Sequence, residues 1–298
     1  MVISMKTMII VKIAGVIIAG LSLSLLSGKA VHAANLHNNW YYAADSLNDS
    51  VSGNDVGGTK YEIAGTAYTQ KNGKSIFSIV TKLPLEGTNS GFANDGRVAL
   101  GDILLNFTTD SFNVASEKGN LKAIRFVDNN EAGVNALGFY DNVVAKSVSS
   151  LNGLRLANVG AYHDYVKKNG GTPSMGDLPI NTSEIDSSQH ILNVIDSGTW
   201  RGNVNLLDSN ALKDLGFDFG YFGVEGFNTI AVSVDSSLLP DGRFTALFSP
   251  ECGNDIAAMS HIKTSVPESS TILGLLAFGM VGAGSFVKSQ KSSVKLLN

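Results

Sequence analysis

The sequence predicts an all-β fold: a single sandwich or jelly-roll-like domain with two short helices, flanked by an amino-terminal signal peptide and a carboxyl-terminal transmembrane helix. Three observations lead there. Nine or more short runs rich in Val, Ile, Phe, Tyr and Thr are separated by breaks rich in Gly and Asn. No long helical pattern alternates with them, as a parallel sheet would require. The composition of the 298 residues breaks only at the two ends, where long apolar runs without charge stand beside lysines.

At the amino end, Lys6 and Lys12 precede or begin an apolar stretch from Ile13 to Leu26, which leads into AVHAA. A basic flank, an apolar run and small residues before a cut are the layout of a secretory signal peptide, with cleavage after Ala33. Residues 1–33 are therefore assigned to the signal peptide, and residues 34–265 to one extracellular domain. Removing residues 1–33 and 266–298 takes away six of the 22 basic residues and one of the 26 acidic ones, so the net charge moves from −4 to −9. A domain this acidic is a poor partner for nucleic acid. A single cysteine, Cys252, rules out an internal disulfide framework, and its expected role is a small buried apolar group.

Within residues 34–265 the strands follow from local pattern. YEIAGTAYTQ and SIFSIVTKL flank KNGK, and Asn72-Gly73 is the pair a type I′ hairpin turn prefers, because both central residues need positive φ. Further strands are expected in VALGDILLNF, LKAIRFV, LGFYDNVVAKSV, HILNVI, NVNLL, NTIAVSV and RFTALF. NVGAYHDYVKKNGG reads as a helix, with Tyr162, Tyr165 and Val166 on one face, two lysines in its last turn and Gly170 to end it. DSNALKDLG reads as another, capped by Asp208 or Ser209 and ended by Gly216. Both helices are expected to cover the ends of the sandwich.

The motifs of common catalytic sites are missing. The chain contains no HExxH, GxSxG, CxxC or GxGxxG, and its five histidines, His32, His37, His163, His190 and His261, do not have metal-ligand spacing. Ser260-His-Ile-Lys263 fits SxxK in form only, without a companion motif. Carboxylates and amides offer one alternative. Asp45, Asn48, Asp49, Asn54 and Asp55 fall within eleven residues after Trp40-Tyr41-Tyr42, and hard oxygen donors at such density suit Ca²⁺. The spacing is not that of an EF-hand, and Asx residues in such stretches also make turns through their own backbone. Asp95 and Asp102 could face the same loops. Trp40, Tyr221 and Phe222 are candidate sugar platforms if they are exposed.

At the carboxyl end, VPESST precedes a run without charge from Ile272 to Val287, followed by Lys288, Lys291 and Lys295. At about 1.5 Å per residue the run covers roughly 24 Å, close to the ~30 Å hydrocarbon core of a bilayer. Basic residues tend to stay cytoplasmic, which places the domain outside.

Val266-Pro267-Glu268-Ser269, a glycine-dotted apolar helix over 271–287 and a basic tail over 288–298 together resemble the PEP-CTERM sorting signal. Ser269 stands where that pattern has a second proline, and the tail carries Lys in place of an Arg cluster. The resemblance implies export, membrane retention and cutting near the motif by exosortase, a membrane cysteine protease, after signal peptidase has acted at Ala33. WYYAADSLNDSVSG, AIRFVDNNEAGV, NVVAKSV, MGDLP and ECGND are similar to stretches of cyanobacterial exosortase-dependent surface proteins, none of them a catalytic signature. The expectation is a non-enzymatic structural or adhesive protein of the cell surface or exopolysaccharide matrix. The alternatives are a calcium-assisted carbohydrate-binding module and a matrix polysaccharide hydrolase that works through two carboxylates.

Overall fold

The structure, a computed structural model, describes residues 34–264. The predicted signal peptide with Ala33, the motif at Val266, Pro267, Glu268 and Ser269, the transmembrane helix and the basic tail lie outside these residues. In chain order the elements are β1 (Asn35–His37), β2 (Trp40–Ala44), β3 (Val51–Ser52), β4 (Asp55–Val56), β5 (Ile63–Lys71), β6 (Lys74–Thr81), β7 (Thr88–Asn89), β8 (Arg97–Val98) and β9 (Ile103–Asn106). There follow α1 (Phe112–Glu117), β10 (Leu121–Arg125), β11 (Gly138–Lys146), α2 (Val159–Lys168), β12 (Val194–Gly202), β13 (Asn205–Leu207) and α3 (Ser209–Asp214). The last elements are β14 (Asn228–Asp235), β15 (Gly242–Phe248) and β16 (Ala257–Lys263).

Twelve of these strands form two antiparallel sheets of six. One has the order β1-β2-β5-β6-β14-β13 and the other β12-β11-β10-β9-β15-β16, and β3-β4 and β7-β8 are small hairpins. The β5–β6 hairpin turns at Asn72-Gly73, with φ of 53° and 71°, the positive values that a type I′ turn requires.

Side-chain alternation divides each sheet into two apolar faces. On β6, Phe77 and Ile79 join one cluster while Ile76 and Val80 join another, because successive strand residues point to opposite sides. On β9 and β10, Ile103, Leu105 and Ile124 enter the first cluster and Leu104, Leu121 and Ala123 a third. The first cluster draws on both sheets: the Tyr68 and Phe77 rings meet Phe244 of β15 edge-on, at 5.3 and 5.9 Å between centroids. Such aromatic pairs contribute about 0.5–1.5 kcal/mol beyond the area they bury.

The two predicted helices form: Asp208 caps one as expected, accepting from Ala211 N at 2.8 Å, Asn158 caps the other by accepting from Ala161 N at 2.8 Å, and Gly170 and Gly216 follow with φ of 84° each. Their placement differs from the expectation. Tyr162 and Val166 of α2 pack with Leu104, Tyr140 and Val143 on the second sheet's remaining apolar face, and Leu212 of α3 packs with Trp40, Ile76 and Val80 of the first. Both sheets are apolar on two sides, so helices are needed on their faces. A third helix, α1, was not expected. Six residues are too few to show a period, although Ser111 caps it and Gly119, at φ 65°, follows its end.

VALGDILLNF is split, Val98 ending β8 in the small hairpin and β9 starting at Ile103, and two more strands depart from the reading. HILNVI enters the sheet only at Val194; before that, Asn193 is held irregularly by Ser149 and by the Pro250 and Glu251 carbonyls. The strand then continues through exposed DSGTWRG, joined to β11 by the ladder, by the Lys146–Asp196 and Arg201–Asp141 ion pairs and by Trp200, which packs on Gly138. Ser260-His-Ile-Lys263, read as a stretch leading to the membrane, belongs to β16 and pairs in register with β15. Among the described residues no helix is long and apolar enough to cross a membrane.

Candidate metal centre

Three aspartates, two close in sequence and one about 200 residues away, meet where the two sheets come together, with Glu62 as a charged neighbour. Asp45 follows β2, Asp49 lies in the loop toward β3, Glu62 directly precedes β5, and Asp255 precedes β16. One carboxylate oxygen from each of Asp45, Asp49 and Asp255 lies within 4.8 Å of the others. Asp49, Glu62 and Asp255 have no exposed surface. Asp45 is partly exposed as a residue, but its Oδ2 is buried.

Backbone donors aim the group. Gly176 N donates to Asp45 Oδ1 at 3.0 Å and Ser174 N to Asp49 Oδ2 at 2.7 Å. Ser50 Oγ donates to Glu62 Oε2 at 2.6 Å, and Gly58 N donates to the same oxygen. Ile63 N donates to Asp255 Oδ2 at 2.7 Å and Ile256 N to Asp255 Oδ1 at 2.8 Å. Tyr162 OH of α2 donates to the Asp49 carbonyl at 2.9 Å and reaches Asp255 Oδ1 at 3.4 Å. Position 176 admits only glycine: φ is 59°, and a Cβ would stand 2.3 Å from the Ala258 carbonyl oxygen.

Three oxygens are left over. Asp45 Oδ2, Asp49 Oδ1 and Glu62 Oε1 are buried without a hydrogen-bond partner. Burial raises the carboxyl pKa of Asp45 to about 7 against the lowering effect of Ser174 and Gly176. Burial, then repulsion from Asp45, raises Asp49 to about 9. Asp255 is pushed well above the carboxylate range by burial, then by Asp49, Asp45 and Glu62.

Of the five predicted ligands, the structure brings together Asp45 and Asp49. Asn48 stands next to them, but its Oδ1 accepts from Thr172 N at 3.0 Å and Ser46 Oγ at 2.8 Å. Asn54 and Asp55 are carried away on the exposed β3–β4 hairpin. Asp255 and Glu62 were missed. Asp255 lies in ECGND and Gly176 in MGDLP, so two of the stretches that carry the resemblance meet a third, WYYAADSLNDSVSG, at this point. Glu62 had no sequence signal: a lone Glu before a strand reads as solvated.

Asp95 makes a turn by accepting from Arg97 N at 2.9 Å. Asp102 is buried elsewhere, bound by Ile195 N at 2.8 Å and Asn130 Nδ2 at 2.9 Å, and burial raises it to about 6. Glu251 accepts from Ala99 N at 2.7 Å, and burial followed by the neighbouring Glu131 raises it to about 9. The SxxK pair cannot cooperate: Ser260 pairs with Thr245 Oγ1 at 3.1 Å, and Lys263, three residues on and so on the opposite strand face, donates to Asp241 at 2.7 Å.

A groove of about 160 Å³ adjoins the loop that carries Asp49. Phe92, 65% exposed, lines it with the Arg155 guanidinium 5.3 Å from the ring centroid, and the buried Asn152 beneath donates to Glu131 Oε2 at 2.8 Å. Of the candidate platforms, Trp40 is not exposed, and Tyr221 and Phe222 are half-buried. Trp40 is fully buried and donates to the Leu215 carbonyl at 3.1 Å, while Tyr221 stacks on Tyr42 at 4.0 Å. Phe222 packs so closely on Gly65 that a Cβ there would lie 2.4 Å from its ring. Trp40 is drawn into an apolar face while Tyr221 and Phe222 stay half-exposed, and the sequence does not mark that difference.

These features define an all-β domain with a buried group of oxygen donors. No protein-family model, curated protein or solved structure matches the chain.

Proposed function

We propose that this chain is an exported structural or adhesive protein of the cell surface or exopolysaccharide matrix. In this reading its two sheets close face to face as a β-sandwich, signal peptidase cuts after Ala33, and the 266–298 segment holds the chain in the membrane until exosortase releases it. The reading rests on the sequence pattern at both ends. One structural observation is in keeping with it: the first and last described strands, Asn35–His37 and Ala257–Lys263, lie just inside both predicted cuts, so processing leaves every described strand intact. Mass spectrometry of the released protein tests it; an Ala34 amino terminus and loss of roughly residues 270–298 are expected. An intact Asn298 on released protein would overturn it.

One observation favours a second reading, carbohydrate binding. Phe92 offers a 65% exposed aromatic ring beside the Arg155 guanidinium on the groove next to the Asp49 loop, the combination of a flat apolar surface and a fixed polar group that sugar rings use. Phe92→Ala should abolish retention on the cognate polysaccharide and leave stability within about 0.5 kcal/mol, as for an exposed side chain. Retention unchanged by the substitution would remove this reading.

A further inference from the structure

We propose that Asp45, Asp49 and Asp255, with Glu62 as a neighbouring charge, form a Ca²⁺ site that clamps the two sheets together.

Geometry carries the inference. Two ligands on opposite sides of a Ca²⁺ ion are about 4.6–5.2 Å apart, given Ca–O distances of roughly 2.3–2.6 Å. The three aspartate oxygens all lie within 4.8 Å of one another, so a single ion can touch them all.

The second observation is independent of the clustering. Buried polar atoms in folded proteins are nearly always paired, since an unmade hydrogen bond leaves the desolvation cost uncompensated. Asp49 and Glu62 have no exposed surface, yet Asp49 Oδ1 and Glu62 Oε1 have no partner, and neither has the buried Asp45 Oδ2. In each of these residues the other oxygen is occupied by a donor: Gly176 N for Asp45, Ser174 N for Asp49, and Ser50 Oγ with Gly58 N for Glu62. The side chains are therefore locked with one oxygen satisfied and one free. Such an arrangement is unfavourable for a set of anions alone and is met by a cation placed among them.

Chemistry selects the ion. Every donor is a hard oxygen with neither imidazole nor thiolate in the group, which suits Ca²⁺ or Mg²⁺ over transition metals. Mg²⁺ keeps several of its waters, whereas Ca²⁺ accepts many protein oxygens in irregular geometry, so a buried cluster of carboxylates fits Ca²⁺. The ion would tie the end of β2, in the first sheet, to the start of β16 in the second. A ligand held only by the folded state stabilises it in proportion to occupancy.

The test uses the full-length chain in detergent. Calcium chloride should raise the thermal midpoint in a concentration-dependent way over the same chain in EDTA, and Tb³⁺ should bind with sensitised luminescence that Ca²⁺ displaces. Asp49→Asn and Asp45→Asn should each weaken Tb³⁺ binding at least tenfold, while Asp55→Asn on the exposed hairpin should leave it unchanged. If Asp49→Asn does not fold, elemental analysis of the wild-type chain, dialysed from calcium into metal-free buffer, gives the answer without a variant: about one bound calcium is expected. An unchanged midpoint with and without EDTA, or no retained calcium, would overturn the proposal. An equal shift with magnesium would overturn the assignment to Ca²⁺, and loss of binding in Asp55→Asn would move the site to the hairpin.

Discussion

The backbone N–H of Ile63 donates to Asp255 Oδ2 at 2.7 Å across 192 positions of sequence. This bond joins the first residue of a long strand in one sheet to the loop that starts the last strand of the other. Asp255 also accepts from Ile256 N, so one buried side chain satisfies two backbone donors that no strand ladder reaches.

Asp255→Ala should therefore destabilise the fold more than Asp255→Asn. The alanine leaves buried N–H groups without acceptors, each a loss of about 1–3 kcal/mol, while asparagine retains one acceptor oxygen. Urea unfolding in EDTA checks this, because the chelator removes any contribution from a bound ion. Equal midpoints for the two variants would show that the Ile63 bond contributes little.

Cys252 is fully buried within the cluster shared by the two sheets, and burial pushes its thiol pKa far up. The thiolate, the reactive form, is absent at neutral pH. Native protein should resist a thiol reagent until it unfolds, and Cys252→Ala should remain monomeric and lose about 1 kcal/mol, the cost of a small cavity. Fast labelling of folded protein, or a dimer that dithiothreitol dissolves, would contradict this.

Glu251 sets a pH dependence. Its folded pKa, raised to about 9 from 4.5, means that the native state holds a proton the unfolded chain releases. The contribution to stability is complete below pH 4.5 and is lost as pH rises toward 9. Glu251→Gln mimics the protonated form and keeps an acceptor for Ala99 N. Its stability should exceed that of wild type increasingly between neutral and mildly alkaline pH. Parallel curves for the two proteins over that range would refute the assignment.

The terminal signal is tested apart from the fold. If the proposed sorting signal is used, Pro267→Ala with Glu268→Ala should trap full-length chain in the membrane, because a proline disfavours helix at the residue before it and a glutamate is costly inside a bilayer. Immunoblots of membrane and medium fractions read the outcome. Normal release of the double variant would show that these two residues are not the processing signal.

Much of the β architecture was legible in the sequence because its signals are local. Asn72-Gly73 specifies a turn through its own φ angles, Asn158 and Asp208 cap helices through an amide three residues on, and the alternation in SIFSIV marks a strand whichever sheet receives it. β16 was lost to its neighbourhood in sequence, and HILNVI was placed early because Ile191 and Asn193 are buried for reasons outside any strand.

The candidate site divides along the same line. The sequence alone determined that acidic and amide groups crowd residues 45–55, since proximity along the chain is visible there. Only the tertiary structure decided which of them meet. A hairpin carries Asn54 and Asp55 outward, while strand pairing and α2 bring Glu62 and Asp255 inward to Asp45 and Asp49. The physical reason is that burial of a charge is a property of its surroundings, here assembled from β2, β5, β16 and the loop around Ser174, and no short-range pattern in a chain records what elements far away will place around it.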